Sequence, residues 1–260
     1  MESFTIYLAA DSTVQTFQKK DEPQMGWGQK LYESFKGSEA CEIYHPQITS
    51  FEQVTKYDLL GISIDNRAMA GRSSRSFYNE GRLADIEKVI KPGDFMFVQF
   101  AHNDANEGKE ERYVPVDQYG AWLKKYVDVC RNHGAQCVLV TAIAMRNCDE
   151  SKDGTFTYSF PQYREAMIQF AKEENLPLLD LGKRSTQYCQ KLGAEGTKDI
   201  FLWVKPGEYP NGSHREGKED NAHLKENGAS AFARLLTELI REYDADDRLK
   251  PIQEKLKQES

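Results

Sequence analysis

Phe4-Thr5-Ile6-Tyr7-Leu8-Ala9-Ala10-Asp11-Ser12-Thr13-Val14 opens the chain with an apolar, β-prone run that stops abruptly in a turn of small residues carrying an acid and a hydroxyl. In α/β proteins ligands bind at the carboxyl ends of the strands, so a Ser in this turn is placed to do chemistry. Taken alone, Asp11 and Ser12 serve equally well as caps of a following helix, because both residue types favour such junctions. The remainder of the chain decides between the two.

Beyond this run, strand candidates alternate with helix candidates, the pattern of a parallel sheet covered by helices on both faces. Phe95-Met96-Phe97-Val98-Gln99-Phe100 has the continuous apolar character of a central strand and ends in Ala101-His102-Asn103-Asp104. Val116 to Asn132 carries a helical stripe through Tyr119, Leu123, Tyr126 and Val127, ended by His133-Gly134. Cys137 to Thr141 and Leu176 to Leu181 read as further strands, and Leu60 to Asn66 as the second. Helices are expected over Gly26–Phe35, Leu83–Ile90, Pro161–Glu174, Lys183–Leu192 and Gly228–Tyr243. Cys41 to Leu59 shows no clear period and reads as irregular, Ala68 to Ser74 as turn-rich, and Pro206 to Asp220 as a long polar loop. The expected organisation is one domain over residues 1–245 with a charged, peripheral tail over 246–260.

With 260 residues, 39% hydrophobic and 29% charged, the chain is long enough for one sizeable core. No basic, apolar leader and no transmembrane-length segment is read at its start, so the expectation is a cytoplasmic protein or one whose leader has been removed. The five cysteines, Cys41, Cys130, Cys137, Cys148 and Cys189, are odd in number and form no Cys-x-x-Cys pair, which favours reduced thiols over a disulfide frame or zinc site. A net charge of -7 argues against nucleic acid as a partner. No Gly-x-Ser-x-Gly elbow, Walker loop or complete dinucleotide loop occurs. Asp149-x-Ser151-x-Asp153-Gly154 begins like a calcium loop, but Phe160 stands where the bidentate Glu is needed.

Chemistry-bearing residues recur near the other end. In Asp220-Asn221-Ala222-His223, expected in a loop before the last helix, the carboxylate is spaced to hold one imidazole nitrogen and leave the other free for a proton. With Ser12 this supplies a nucleophile, a base and an orienting acid. Acyl transfer also needs donors aimed at a developing oxyanion. Gly71 lies in a turn where no Cβ obstructs the backbone, and Asn103 offers a neutral amide at the end of a central strand.

Ala10-Asp11-Ser12-Thr13, Asn66-x-Ala68-x-Ala70-Gly71-Arg72-Ser73, His102-Asn103-Asp104 and Asp220-x-x-His223 together resemble the four blocks of the SGNH (GDSL-like) hydrolases, in the same order. Gly26-Trp27-Gly28-Gln29 and Gly71-Arg72-Ser73-Ser74-Arg75-Ser76-Phe77 are similar to the rhamnogalacturonan acetylesterase branch. The resemblance spans Ile6 to the final helix. It implies a flavodoxin-like three-layer α/β/α sandwich with a central parallel sheet, and hydrolysis of O-acyl esters without a metal or other cofactor. It further implies Ser12 as nucleophile, His223 as base and Asp220 as its orienting partner, with the amides of Ser12 and Gly71 and the side chain of Asn103 as oxyanion hole. Ala10 and Ala101 stand where the family commonly has glycine.

The implied partner is an acetylated oligosaccharide from pectin, with no nucleic acid or membrane. The alternatives are an esterase or lipase for another acyl ester and a catalytically silent carbohydrate-binding relative. Arg72, Arg75, His102, Trp203 and His214 are candidate substrate contacts, with packing below Asn103 the alternative for His102. Arg72 and Arg75 are the natural place for an acidic sugar to bind an acidic protein; otherwise they knit their loop to acids such as Asp65. Asp11 is expected to tie down the nucleophile turn, Trp27 and Trp122 to pack in the core, and His45 and His133 to be surface or packing residues.

Overall fold

A computed structural model describes residues 3–148 and 154–258; the calcium-like positions Asp149, Ser151 and Asp153 lie outside the described residues. β1 (Phe4–Ala10) is covered on both faces, as its unbroken apolar run requires. It pairs in parallel with β4 (Ile62–Asn66) on one side and β5 (Phe95–Gln99) on the other. Parallel pairing continues from β5 to β6 (Gln136–Val140) and the short β7 (Leu178–Leu179). β2 (Glu42–Tyr44) and β3 (Thr55–Leu59) extend the β4 edge in antiparallel fashion, giving seven strands in the order β2-β3-β4-β1-β5-β6-β7. The parallel part has the flavodoxin-like order, and its switch point lies beside the end of β1, where open α/β sheets bind ligands.

Alternation along β1 assigns the layers. Ile6, Leu8 and Ala10 share one apolar cluster with α5 (Leu181–Thr197) and α6 (Glu226–Glu242). Tyr7 and Ala9 share the other with α1 (Ser74–Asn79), α2 (Arg82–Glu87), α3 (Val116–Asn132) and α4 (Pro161–Glu173). This is the α/β/α sandwich. The helical stripe expected over Val116–Asn132 is α3, with Tyr119, Leu123, Tyr126 and Val127 all buried.

Four local expectations are corrected. Residues 41–59 are not irregular: they hold the fully exposed edge strand β2 and, beside it, β3, whose polar sequence Thr55-Lys56-Tyr57-Asp58-Leu59 buries only Tyr57. Gly26–Phe35 is not an α-helix but two 3₁₀ turns, Trp27–Gln29 and Leu31–Ser34. Its backbone is committed elsewhere, since Met25 N–H donates to Leu224 O and Trp27 N–H to Thr13 O. Asp220 and His223 lie on a strand, β9 (Lys218–Leu224), which pairs antiparallel with β8 (Phe201–Val204). Finally, the tail is not peripheral. Asp247–Leu249 and α7 (Lys250–Gln253) place Leu249, Ile252 and Leu256 in the core cluster of α6, and Lys257 N–H donates to Ser34 O. These three residues form a helical-period stripe hidden among charges.

Because Ile252 is fully buried, Ile252→Ala should cost about 2–5 kcal/mol, the range for a core aliphatic truncated to Ala. Denaturant melts check this, and a loss below about 0.5 kcal/mol would return the tail to the periphery.

Candidate active site

The turn after β1 is held from every side. Asp11 is fully buried, and its Oδ1 accepts from Thr13 N–H at 2.9 Å and Thr13 Oγ1 at 2.8 Å. Gln99, the polar residue closing β5, donates to Thr13 Oγ1 at 2.8 Å and accepts from Trp27 Nε1 at 3.0 Å. Gly26 and Gly28 are required by close approach: a Cβ on either would lie 2.4 Å from the carbonyl of Gln15 or Val14. Asn66 Nδ2 donates to Val14 O, and Gln15 Oε1 accepts from Ala70 N–H. Ser12 therefore sits on a fixed support, 7% exposed at the sheet's carboxyl end.

His223 reaches Ser12 from β9. In that hairpin Phe201 pairs with Leu224 and Leu202 with Asp220, so residues 221–223 bulge out. The bulge is pinned by Arg146 N–H to Asn221 O at 2.7 Å and Trp203 Nε1 to Asn221 Oδ1 at 2.9 Å. Asp220 Oδ1 accepts from the backbone N–H groups of Ala222 and His223, and its Oδ2 lies 2.9 Å from His223 Nδ1. His223 Nε2 is 3.1 Å from Ser12 Oγ. Partial burial alone would raise the Asp220 carboxyl, but the His223 hydrogen bond and the two backbone donors outweigh it and hold the group well below the usual carboxylate range. An ionised acceptor against Nδ1 keeps the proton there, leaving the Nε2 lone pair toward the serine hydroxyl. Such a line can deliver a hydroxyl oxygen to a carbonyl carbon.

Gly71 and Asn103 come to the same end of the sheet on the neighbouring strands. The chain after β4 stays beside β1, with Arg67 N–H donating to Leu8 O and Met69 N–H to Ala10 O, and Gly71 turns at φ 78°. Asn103 follows β5, and its Nδ2 donates to Arg72 O at 3.0 Å. Ala101, where glycine is common in the family, takes φ 151°, a value glycine adopts more readily. A residue the sequence reading missed stands beside both: Arg112 Nη1 donates to Asn103 Oδ1 at 3.0 Å and to Gly71 O at 3.2 Å. No short-range motif signals it, since it returns from the loop between β5 and α3.

The candidate substrate contacts separate. Arg72 Nε lies 3.0 Å from both Glu80 carboxylate oxygens, and its Nη1 donates to Ala70 O, so it knits its loop. The acid expected for that role, Asp65, is taken by the buried Arg67. Arg75 Nη1 donates to the carbonyls of Glu110 and Tyr113. His102 packs, as its structural alternative expects: both ring nitrogens are shut off from solvent, with Nδ1 3.5 Å from Asp11 Oδ2 and the ring edge-on to Phe160. Trp203 lies over Lys198 and Arg146 and lines a groove with Lys205, Lys218 and Glu219 in which no Ser12, Asp220 or His223 atom takes part. His214 is near enough to Asp220 and His223 to feel both charges, while burial and Lys218 lower its affinity for a proton. Among the other sequence candidates, Trp27 is buried, Trp122 is half-buried, His45 is exposed and bonded to Val54 O, and His133 lies 3.4 Å from Glu87. Among the described residues no His/Cys/Asp/Glu cluster suited to a metal occurs, and no helix is long and apolar enough to cross a membrane.

No family model matches the chain. It is 33% identical over 237 residues to the rhamnogalacturonan acetylesterase RhgT of Bacillus subtilis (strain 168), covering 91% of this chain and 89% of the relative. It is 37% identical over 238 residues to the probable rhamnogalacturonan acetylesterase YesY of the same organism, covering 91% and 92%. Among solved structures, it matches YxiM of Bacillus subtilis with a TM-score of 0.71 at 24% identity, over 93% of this chain and 57% of that one. A catalytic mutant of Axe2, an acetylxylan esterase from Geobacillus stearothermophilus, matches with a TM-score of 0.59 at 15% identity, over 92% and 95%. These two structures share the SGNH hydrolase fold.

The Cβ of Gly28→Ala would collide with the Val14 carbonyl beneath the serine turn. The variant should lose about 1–3 kcal/mol in a denaturant melt, as an overpacked core does, and an unchanged midpoint would contradict the close approach. Asp104 generates a pH effect. Its complete burial pushes the carboxyl up to about 7, against the lowering effect of hydrogen bonds from Ser74 and with the Asp11 charge adding to the rise. Between the ordinary value of 3.8 and about 7 the folded chain holds a proton that the unfolded chain has released. Stability through this group is therefore full at low pH, falls as pH rises through that window and is flat above it. Asp104→Asn should remove that decline and melt higher than the parent at pH 8, with no gain at pH 4; an equal gain at both values would contradict the shift.

Proposed function

The chain belongs to the rhamnogalacturonan acetylesterase family of carbohydrate acetylesterases, carboxylic ester hydrolases of the SGNH fold, and from that premise we propose that it deacetylates pectin-derived rhamnogalacturonan oligosaccharides through a Ser-His-Asp acyl-enzyme mechanism. The observation that carries the mechanism is the line Ser12 Oγ–His223 Nε2 at 3.1 Å and His223 Nδ1–Asp220 Oδ2 at 2.9 Å. In this reading Ser12 Oγ attacks the acetyl carbonyl carbon as His223 Nε2 takes its proton. The carbonyl oxygen becomes an oxyanion held by the N–H groups of Ser12 and Gly71 and by Asn103 Nδ2. Collapse breaks the bond to the sugar oxygen, which leaves with the proton from His223. Water then repeats the sequence on the acetyl-serine, releasing acetate and restoring the serine. The ionised Asp220 steadies the imidazolium that forms in each half.

The pectic substrate is supported by the names of RhgT and YesY, and by the local charge. Arg75 donates only to the carbonyls of Glu110 and Tyr113 and has no carboxylate partner among the described residues, which leaves its charge available to an acidic sugar in a protein of net charge -7.

Ser12→Ala should abolish acetate release while keeping the melting temperature of the parent; activity within a fewfold of the parent would remove Ser12 from the mechanism. Asn103→Ala should lower kcat by about 10²-fold with a much smaller effect on KM, the usual loss for one oxyanion donor. A pure KM effect would make Asn103 a ground-state contact. Acetate release compared between acetylated rhamnogalacturonan and acetylated xylan oligosaccharides tests the substrate, with the higher kcat/KM expected on the former.

A further inference from the structure

Asn103 carries an amide whose two ends are chemically opposite, and only its Nδ2 end can donate to an oxyanion. Which end faces the site is decided by what the amide meets. On one side stands Arg72 O, a pure acceptor, 3.0 Å from Nδ2. On the other stands Arg112 Nη1, a pure donor, 3.0 Å from Oδ1. A flipped amide would set its oxygen against the carbonyl and its NH₂ against the guanidinium, losing both bonds. One Nδ2 hydrogen is occupied by Arg72 O, so the second remains to donate.

The same Arg112 nitrogen holds Gly71 O at 3.2 Å, which ties the Gly71 turn to the Asn103 side chain through one guanidinium. A Cβ on Gly71 would come within 3.2 Å of that nitrogen, so the glycine leaves room for the arrangement. Arg112 is itself anchored from below: Arg75 on α1 donates to Glu110 O and Tyr113 O on either side of it, and Arg112 N–H donates to Lys109 O. The side-chain hydrogen bonds of Arg112 among the described residues go to Asn103 Oδ1 and Gly71 O and none to a carboxylate, and its Nε is buried without a hydrogen-bond partner. Its charge is spent on the two groups flanking the region where negative charge would develop.

We propose that Arg112 is a positioning residue for acyl transfer, fixing the orientation of the Asn103 amide and the Gly71 turn so that both donors meet the oxyanion. The inference rests on the reading of Ser12, Gly71 and Asn103 as the acyl-transfer centre. Acting through Asn103, Arg112 contributes to kcat and only weakly to KM, and it does so on a small neutral ester as well as on an acidic oligosaccharide. Guanidinium also polarises the amide, strengthening the remaining N–H as a donor.

The experiment is a double-mutant cycle on p-nitrophenyl acetate, with Arg112→Ala, Arg112→Lys, Asn103→Ala and the Arg112→Ala/Asn103→Ala pair, each first checked by thermal melt. Arg112→Ala should lose about 10- to 50-fold in kcat with KM within about threefold, and less than about threefold further in the Asn103→Ala background. Arg112→Lys keeps a charged donor and should fall between the parent and Arg112→Ala; this variant alone decides the matter where Arg112→Ala does not fold, since a loss confined to KM would overturn the proposal. Also overturning it are a full loss in the Asn103→Ala background, or a loss seen only on acidic oligosaccharides, which would make Arg112 a substrate contact. Should Ser12→Ala and Asn103→Ala both retain activity, the proposed function fails along with this inference. Should they lose it while Arg112→Ala does not, only this inference fails.

Discussion

The hydrogen bonds from Thr13 N–H and Oγ1 to the buried Asp11 carboxylate set the turn in which Ser12 stands, and the rest of the site is arranged around that turn. A carboxylate with no solvent around it persists only where donors and positive charge compensate it. Burial would raise the Asp11 carboxyl, yet His102 beside it and the Thr13 donors bring it below its ordinary value. From Thr13 the restraint passes through Gln99 to Trp27, linking two strands and a 3₁₀ turn far apart in sequence. Rigidity here serves the proposed role of Ser12, because a nucleophile misplaced by an ångström forfeits much of the advantage of orientation.

Two acids near Ser12 thus have separate physical tasks. Asp11 is sealed beneath the turn and serves the backbone, whereas Asp220 sits at a bulged hairpin and serves an imidazole. The bulge matters as much as the acid. It allows Asp220 to bond the N–H groups of Ala222 and His223 and to meet the His223 ring as well, so backbone and side chain are oriented by one carboxylate. On the opposite side, Arg72 O and Arg112 bracket the Asn103 amide. The Asp220 carboxylate and the Asn103 amide are thus each oriented by named partners on opposite sides of Ser12.

Much of this was legible where the signal is local. The apolar run of β1, the stripe of α3 and the Asp-x-x-His spacing of Asp220 and His223 each encode their structure within a few residues. β2 and β3 were not legible, because an edge hairpin shows a polar face and its period is blurred. Charges masked the stripe of Leu249, Ile252 and Leu256 in the tail. Gln99 gave a faint signal as a polar residue ending an apolar strand, but its partners Thr13 and Trp27 are set only by the fold. Arg112 gave none: its meaning lies in a contact between a loop and an amide that chain order does not announce. For Arg72 and His102 the sequence leaves substrate contact and a structural role open, and the fold supplies structural partners, Glu80 and Asp11.

The central claim is that Ser12, activated by His223, carries the acyl group. Its most direct measurement is intact-protein mass spectrometry with peptide mapping after exposure to a serine-directed alkyl phosphonate. The account predicts one covalent adduct per chain, on the peptide containing Ser12, formed in step with loss of esterase activity and absent from Ser12→Ala. An inactivating adduct on any other residue, or full inactivation of the parent without an adduct at Ser12, would contradict it.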